Sequence, residues 1–197
     1  MKPTLPFIPE HEGIGHVATV GAGVPWLYSA CGHCEYGLFA RERVCGKAEF
    51  GGYTKNGGFA EYILADPNYV AHIPDGLSAR EAAPLICTGI TTYKGIKETE
   101  ARPGEWIAIS GAGGLGHLAI QYAKVMGLKV CAVDIDNGKL AHATRLGADL
   151  VINAKSGDPA ATLKTETEVG ACNRRRQTPS LKRPEYLVAP EQKCIGS

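Results

Sequence analysis

Apolar and polar positions in the second half of the chain follow two different periods. Short apolar runs, which are EWIAIS at 105–110, LKVCAVDID at 128–136 and DLVIN at 149–153, predict buried strands. The segments HLAIQYAKVMG and NGKLAHATRLGA lie between these runs and have apolar residues at helical spacing. Strand, helix, strand, helix, strand is the βαβαβ half of a doubly wound parallel sheet, so we predict an α/β fold.

The first half of the chain has a different pattern. Residues 7–24 mix alternating apolar positions with glycines, and residues 51–74 contain apolar runs interrupted by NGG and by DP. Both patterns are typical of short strands joined by turns. We therefore predict that the first half is β-rich.

Two further segments complete the pattern. Residues 25–50 contain a lobe of cysteines and little regular periodicity. Residues 78–98 have a mostly helical pattern, with Ser78 as the N-cap and Glu81 three residues later. This spacing predicts a capping box at the start of a helix.

Composition narrows the class of protein. The chain has 197 residues, 44% hydrophobic residues and a net charge of +1, which favours a packed core and argues against nucleic-acid or membrane partners. It has no apolar run of about 18 residues, and its N-terminus does not resemble a signal peptide. We predict a cytoplasmic protein, in which the seven cysteines are thiols or metal ligands rather than disulfides.

The last segment, residues 170–197, does not continue the alternation. It carries six basic residues, two acidic residues and three prolines, a composition that predicts a disordered tail. The alternative is a basic nucleic-acid arm beside a zinc ribbon, but the cysteine lobe lacks interleaved basic and aromatic residues. We expect no nucleic-acid partner.

A glycine motif lies where the first predicted strand of the second half ends. Gly111, Gly113 and Gly116 spell G-x-G-x-x-G after Ser110 and before a predicted helix. The first glycine would permit a tight turn, the second would let the backbone approach a pyrophosphate, and the third would let the helix pack closely. The loop GAGGLG, which also contains Gly114 and Leu115, therefore predicts a dinucleotide site, and a structural glycine turn is the alternative.

An acidic residue ends the next predicted strand. Asp134 follows Gly116 by 18 residues, the position from which a carboxylate accepts hydrogen bonds from ribose hydroxyls. A carboxylate repels a 2′-phosphate, so NAD is favoured over NADP. Asp136 is an alternative acid, and Lys139 either reaches the ribose or phosphate or is a solvated helix lysine.

Histidine and cysteine spacing indicates metal chemistry in the first half. His11 and His16 are five residues apart with two glycines between them, so they do not form the helical H-E-x-x-H zinc motif. Cys31, Cys34 and Cys45 match C-x2-C-x2-C-x7-C, except that Gly37 occupies the position of the third cysteine.

Taken together, these segments resemble the zinc-containing medium-chain alcohol dehydrogenases, especially their bacterial and fungal branch. The resemblance covers about residues 2–159 and rests on six motifs, which are IPEHEGIGHVATVGAGV, PWLYSACGHCEY, GGFAEY, AAPLICTGITTYKGIK, PGEWIAISGAGGLGHLAIQYAKVMG and AVDI. It implies a partial GroES-like catalytic domain over residues 1–85, with the cysteine lobe at 25–50, and a partial Rossmann domain over 86–169. Residues 170–197 form the divergent tail.

The resemblance also implies roles for individual residues. His11 and Cys87 match two of three catalytic zinc ligands, with Glu12 as the acid beside the histidine. Trp26 matches an aromatic residue of the substrate pocket, and Thr91 a residue beside the nicotinamide. The three lobe cysteines match three of four structural zinc ligands. The implied cofactors are zinc and NAD, the implied substrates are primary alcohols and aldehydes, and members of the family form homo-oligomers.

The chain also departs from the family pattern. The family's catalytic domain begins before Met1, with a segment that carries another zinc-ligand cysteine, and the family has additional residues between Val24 and Pro25. Gly37 replaces a cysteine, and the second half of the Rossmann sheet is not recognisable after Pro159. We therefore expect catalysis by this chain to be impaired. The alternative function is a non-catalytic nucleotide- or zinc-binding remnant.

Overall fold

The computed structural model describes residues 5–16, 27–39 and 41–167, and the backbone of residues 186–188. The chain divides into two compact units, Met1–Cys87 and Thr88–Ser197. Predictions for Trp26, for residues 17–24 and for most of the tail lie outside the described residues.

The described part of the first unit contains short helices. Helix α1 is Glu35–Leu38, and 3₁₀ turns follow at Glu42–Val44 and Pro67–Tyr69. Helix α2 is Ala79–Pro84, and the predicted capping box is confirmed: Ser78 Oγ accepts from the Glu81 N–H at 3.3 Å, and the Ser78 N–H donates to Glu81 Oε2 at 3.2 Å.

Regular strands are not formed in the described residues of this unit, so the strands predicted within residues 7–16 and 51–74 are wrong. The β structure there consists of two isolated bridges, Ser29 with Glu49 and Gly51 with Lys55. At Asp66-Pro67 the Asp66 side chain accepts a hydrogen bond from the Asn68 N–H and caps a 3₁₀ turn. Side-chain and turn hydrogen bonds thus satisfy backbone groups that a strand would have offered to a partner.

The helix predicted over residues 78–98 is interrupted. A π-helical turn, Leu85–Gly89, follows α2 and precedes helix α3, Ile90–Glu98. Pro84 lacks an N–H and its ring crowds the preceding turn, which explains why regular α-helical bonding stops there. Cys87 lies within this π turn.

The second unit contains a parallel sheet. Strands β1, Trp106–Ser110, β2, Lys129–Asp134, and β3, Leu150–Asn153, alternate with helices α4, Gly116–Val125, and α5, Asn137–Arg145. Helix α6 is Pro159–Thr167, and strand β4 is Tyr186–Val188. The strand order is β3-β2-β1-β4, with all pairs parallel. The predicted βαβαβ arrangement is confirmed, and so is the α/β class.

The core of this unit lies between the sheet and its helices. Its buried members come from β1, the glycine loop after it, β2, the turn before β2, and helices α3, α4 and α5. They are Ile96, Ile107, Ile109, Ala112, Ala119, Ile120, Ala123, Leu128, Val130, Ala132 and Ala143. Three successive residues of β1 are buried, as expected for a parallel strand covered on both faces. This burial explains why the sequence of β1 is a continuous apolar run rather than an alternating pattern.

The tail differs from its prediction at the three residues that the structure describes. Tyr186–Val188 pairs in parallel with β1, opposite β2. An unpaired edge of β1 would expose a row of N–H and C=O groups, and these three residues satisfy part of that edge. Disorder is therefore not found at this point of the tail. In the described part of the chain, no helix combines the length and the apolar character needed to span a membrane.

Candidate functional site

The loop after β1 turns sharply and then starts a helix. Gly111 has φ of +86°, a left-handed conformation that residues with a Cβ rarely adopt, and its N–H donates to the Val133 carbonyl oxygen at 2.7 Å. Helix α4 begins at Gly116, and its N-cap residue Leu115 makes no side-chain capping hydrogen bond. This helix N-terminus, left without a side-chain cap, is the kind of structure that binds phosphate groups.

Gly116, Gly113 and Gly114 differ in whether the surrounding protein would admit a side chain. A Cβ at Gly116 would overlap the Gly111 carbonyl oxygen, so the helix can leave the loop in this way only if residue 116 is glycine. A Cβ at Gly113 would meet no protein atom within 4 Å, and the same is true of the exposed Gly114. Packing within the protein therefore does not explain the glycine at 113, and the open space beside it fits a pyrophosphate.

Asp134 joins the end of β2 to the glycine loop. It is 8% exposed, and its Oδ2 accepts from the Ala112 N–H at 2.8 Å. Its Oδ1 accepts from the N–H groups of Ile135 at 2.7 Å and Asp136 at 3.0 Å. The carboxylate thus holds the loop in place, which the sequence did not reveal. A carboxylate oxygen can accept two hydrogen bonds, so Oδ2 keeps one acceptor site that a ribose hydroxyl can use.

The neighbouring Asp136 has a structural role. Its Oδ1 accepts from the Lys139 N–H at 2.9 Å and caps helix α5. This hydrogen bond outweighs partial desolvation and holds the pKa of the Asp136 carboxyl below its usual value. Because Asp136 serves as a helix cap, Asp134 is the candidate acid for hydrogen bonds with the ribose. Lys139 is exposed, and its contact with a ribose or phosphate stays a prediction.

His11 and Cys87 are brought together in the first unit although they are 76 residues apart. The His11 Nε2 atom lies 3.2 Å from Cys87 Sγ. Nitrogen and sulfur ligands of a tetrahedral zinc ion lie about 3.6 Å apart, so both atoms can bind one ion after a small adjustment. The pairing that the resemblance implied is therefore present in the structure.

A glycine-rich segment holds the backbone before His11. The Gly57 N–H donates to the Ile8 carbonyl oxygen at 2.6 Å, and a Cβ at Gly57 would overlap the carbonyl groups of Pro9 and Glu10. Glu10 has φ of +87°, an uncommon conformation for a residue other than glycine. This close approach fixes the direction of the chain just before the histidine.

An open depression of about 270 Å³ lies beside His11. It is lined by His11, Phe50, Gly51 and Tyr53. Sequence reasoning missed both aromatic residues, because Phe50 ends the cysteine lobe and Tyr53 lies in a segment predicted as short strands joined by turns. Aromatic walls next to the His11–Cys87 pair are suited to a small organic molecule.

Three other residues were predicted for this site. Glu12 is partly buried, and its backbone N–H donates to Glu10 Oε1. Thr91 is exposed in the first turn of α3, in the second unit. Trp26 lies outside the described residues. The roles of these three residues stay predictions.

The three lobe cysteines converge. The Sγ atoms of Cys31, Cys34 and Cys45 all lie within 4.8 Å of one another, and those of Cys31 and Cys45 are 3.5 Å apart. Sulfur ligands of a tetrahedral zinc ion are about 3.8 Å apart, so the cluster fits one such ion. It is the only group of three or more potential metal ligands in the described ranges of the chain.

The electrostatics of the cluster favour one thiolate among its sulfurs. The N–H groups of His33 and then Cys34 donate to Cys31 and lower the pKa of its thiol to about 6. For Cys34, the Gly37 N–H lowers the pKa, but the neighbouring Cys31 and desolvation raise it, and its net pKa is raised. Negative charge is thus concentrated on Cys31, as expected when close thiols compete to ionise.

The two candidate metal sites differ in their ligand sets. A catalytic zinc usually has three protein ligands, and the described residues supply only His11 and Cys87. The pair alone does not make up that set. The lobe supplies three thiolates of the four ligands typical of a structural zinc site.

Comparison with known proteins agrees with these features. The alcohol dehydrogenase GroES-like domain matches residues 1–75, and the zinc-binding dehydrogenase family matches residues 114–172. An alcohol dehydrogenase of Geobacillus stearothermophilus is 54% identical over 175 residues, which are 83% of this chain and 52% of that protein.

Solved structures give the same result. The alcohol dehydrogenase of Aeropyrum pernix is 34% identical with a TM-score of 0.71, over 84% of this chain and 53% of that one. An NAD-dependent alcohol dehydrogenase is 29% identical with a TM-score of 0.74, over 84% of this chain and 52% of that one. The cysteine cluster and the zinc-binding family fit zinc as a cofactor, and this neighbour supports NAD.

A glycine loop closed by an acid, together with convergent cysteines, is the arrangement expected of a dinucleotide- and zinc-binding protein. The matches described above agree with that class over both units. The chain therefore belongs to the zinc-binding alcohol dehydrogenase family of oxidoreductases. It spans about half the length of the relatives that it matches.

Proposed function

We propose that this chain carries the NAD-binding elements and part of the zinc-binding elements of an alcohol dehydrogenase. The reaction is hydride exchange between NAD and a primary alcohol or aldehyde. The observation that carries the proposal is the glycine loop at the end of β1, with an uncapped helix N-terminus and the buried Asp134 beneath it. The substrate is a small organic molecule, and NAD is favoured over NADP because Asp134 repels a 2′-phosphate.

The residues of the glycine loop have separate tasks in binding the coenzyme. The first turn of α4 offers N–H groups to the pyrophosphate, and Gly113 leaves room for its approach. Oδ2 of Asp134 accepts from a ribose hydroxyl while it continues to hold the Ala112 N–H. These contacts orient the adenosine half of NAD.

The chemistry of the alcohol depends on the other unit. A catalytic zinc ion, if bound, would supply Lewis-acid chemistry that polarises the alcohol oxygen and lowers its pKa. His11 and Cys87 would hold such an ion, and Phe50 and Tyr53 border the adjoining depression. The pair supplies only two of the usual three protein ligands, so these residues alone do not complete a catalytic zinc site.

A second candidate function is nucleotide binding without turnover. It is favoured by the two-ligand set at His11 and Cys87, since an ion with too few protein ligands is poorly held. The glycine loop and Asp134 lie in the other unit and do not depend on this pair. Nucleotide binding can therefore persist where catalysis is lost.

Both candidates require the full chain to bind NAD, and turnover separates them. We expect calorimetric titration with NAD to give a binding curve, and Gly113→Ala to weaken binding at least about tenfold through contact with the pyrophosphate. Gly46→Ala is the matched control, because a Cβ there also meets no protein atom within 4 Å. No binding at millimolar NAD would refute both candidates.

The same sample is then supplied with zinc and ethanol, and NADH formation is followed by absorbance. Turnover that disappears in Cys87→Ser supports the dehydrogenase. Binding without turnover supports the second candidate. The predicted absence of nucleic-acid binding is checked by retention on DNA at low salt, and the cytoplasmic location and homo-oligomeric state stay predictions.

A further inference from the structure

The cysteine cluster has three ligands where the family pattern has four. We propose that Cys31, Cys34 and Cys45 bind one thiophilic divalent ion through three thiolates, and that the fourth coordination position is open to a small thiol from solution. Such a site exchanges its fourth ligand and differs from a closed structural zinc site. The proposal concerns the lobe and does not depend on NAD binding or turnover.

Backbone groups hold the three sulfurs in place. Cys34 caps α1, and its Sγ accepts from the Gly37 N–H at 3.4 Å. The Sγ of Cys45 accepts from the Lys47 N–H at 3.4 Å, and Cys45 is the buried member of the cluster. Hydrogen bonds of this kind orient metal ligands from the second coordination shell. The lobe is therefore preorganised for an ion, although one ligand is lacking.

Residue 37 does not supply the fourth ligand. Gly37 has no side chain, and a Cβ built there would lie 3.3 Å from both the Cα and the carbonyl carbon of Gly32. This approach is tighter than ordinary van der Waals contact and requires a shift of a few tenths of an ångström. A side chain at residue 37 therefore fits once the neighbouring backbone has made this small shift.

His33 is the nearest alternative ligand by sequence, and the structure places its ring elsewhere. Its Nδ1 lies 2.6 Å from the Cys31 carbonyl oxygen, to which it donates. Neither ring nitrogen belongs to the group of ligand atoms within 4.8 Å of one another. In residues 5–16, 27–39 and 41–167 no other histidine, aspartate or glutamate joins that group. The described chain therefore leaves the fourth position to an external ligand.

A small thiol suits this position chemically. Three thiolates select thiophilic ions such as zinc, and a fourth sulfur completes the four-thiolate set that such ions prefer. The thiol binds as a thiolate, and its proton passes to the buffer. No bond other than the metal–sulfur bond forms, and nothing is oxidised or reduced.

The test uses cobalt(II) as a spectroscopic substitute for zinc in the full-length chain. The background carries Cys87→Ser, Cys172→Ser and Cys194→Ser, so that the lobe and the fully buried Cys131 are the only remaining thiols. A phosphine keeps the thiols reduced. We expect one cobalt ion per chain, with sulfur-to-cobalt charge-transfer absorption. Addition of mercaptoethanol should raise this absorption by about one third, because the number of sulfur ligands rises from three to four.

Three variants assign the ligands. His33→Ala should behave as the background does, and Cys45→Ser should lose most of the absorption. Gly37→Cys should show the higher absorption without added thiol and should no longer respond to it, and it should bind the metal at least about tenfold more tightly. Loss of the band in His33→Ala, or its retention in Cys45→Ser, would overturn the proposed ligand set.

A second measurement covers the case in which a variant does not fold. The unmodified full chain is loaded with zinc, and transfer of zinc to a chromophoric chelator is timed. We expect mercaptoethanol to slow this transfer at least about threefold, because a fourth thiolate holds the ion more firmly. A chain that takes up neither cobalt nor zinc, or one whose metal does not respond to thiol in either measurement, overturns the proposal.

Discussion

Substitution of Asp134 by asparagine tests how the coenzyme loop is held. The oxygen of the asparagine amide can still accept the hydrogen bonds from the Ile135 and Asp136 N–H groups. The NH₂ group of the same side chain then faces the Ala112 N–H, which is left without an acceptor. An unsatisfied buried donor costs about 1–3 kcal/mol, and loss of charge weakens the two remaining bonds by up to about 1 kcal/mol each. Because these contributions overlap, we expect the free energy of unfolding of the second unit to fall by about 3 kcal/mol.

The assay must report on the second unit alone. The chain has two tryptophans, so Trp26→Phe leaves Trp106, at the start of β1, as the single fluorescent reporter. Urea unfolding then gives the stability of the sheet, and the midpoint should move down by about 1–3 M. Amide exchange at Ala112 should accelerate along with this shift, because its acceptor is gone.

Asp136→Asn is the matched control. It changes the same residue type two positions later, but its side chain caps a helix at an exposed site, where asparagine caps about as well as aspartate. We expect its effect to stay below about 0.5 kcal/mol. If Asp134→Asn costs no more than this control, the carboxylate does not hold the loop and our reasoning is wrong.

Three further variants test the scaffold by urea unfolding. Gly116→Ala should destabilise the second unit by at least about 2 kcal/mol and weaken NAD binding, because its Cβ overlaps a carbonyl oxygen; an unchanged midpoint would contradict the packing. Ser78→Ala should cost about 1 kcal/mol through loss of the capping box, and no loss would mean that the cap is redundant. Asp149→Asn should cost about 1 kcal/mol, since its partner Lys124 is partly exposed. Burial raises the pKa of Asp149, but hydrogen bonds from Lys124 and Val130 outweigh it and the net pKa is lowered. This stabilisation is therefore full above the unfolded pKa of about 3.9 and is lost as pH falls through the lower folded pKa; a variant as acid-sensitive as the parent would contradict the assignment.

The second unit was predictable because its signals are local. Apolar runs and helical spacing marked β1, β2, β3 and the two helices between them. Asp134 follows Gly116 by 18 residues, close to the spacing of about 20 residues in the dinucleotide motif. The backbone donors to Asp134 were not predictable. They depend on how two turns approach each other, which no spacing in the sequence records.

The first unit was harder to predict because its contacts are long-range. Apolar runs between turn signals indicated strands at 51–74, but this segment hydrogen-bonds as turns, and the Gly57 N–H donates to the distant Ile8 carbonyl oxygen. The helix break before Cys87 was also missed, although Pro84 was a visible signal for it. The convergence of the three lobe cysteines was indicated by their spacing, whereas the tilt of His33 away from them was not.

Hydrogen–deuterium exchange of the full chain with and without NAD tests the central claim, which is that the glycine loop binds the coenzyme. The account predicts that NAD slows exchange at the amides of residues 111–117 and at Ile135 and Asp136, whose N–H groups donate to Asp134. Gly113→Ala should abolish this protection while leaving exchange of the free protein unchanged. Binding of NAD with protection elsewhere and none in the loop would contradict it.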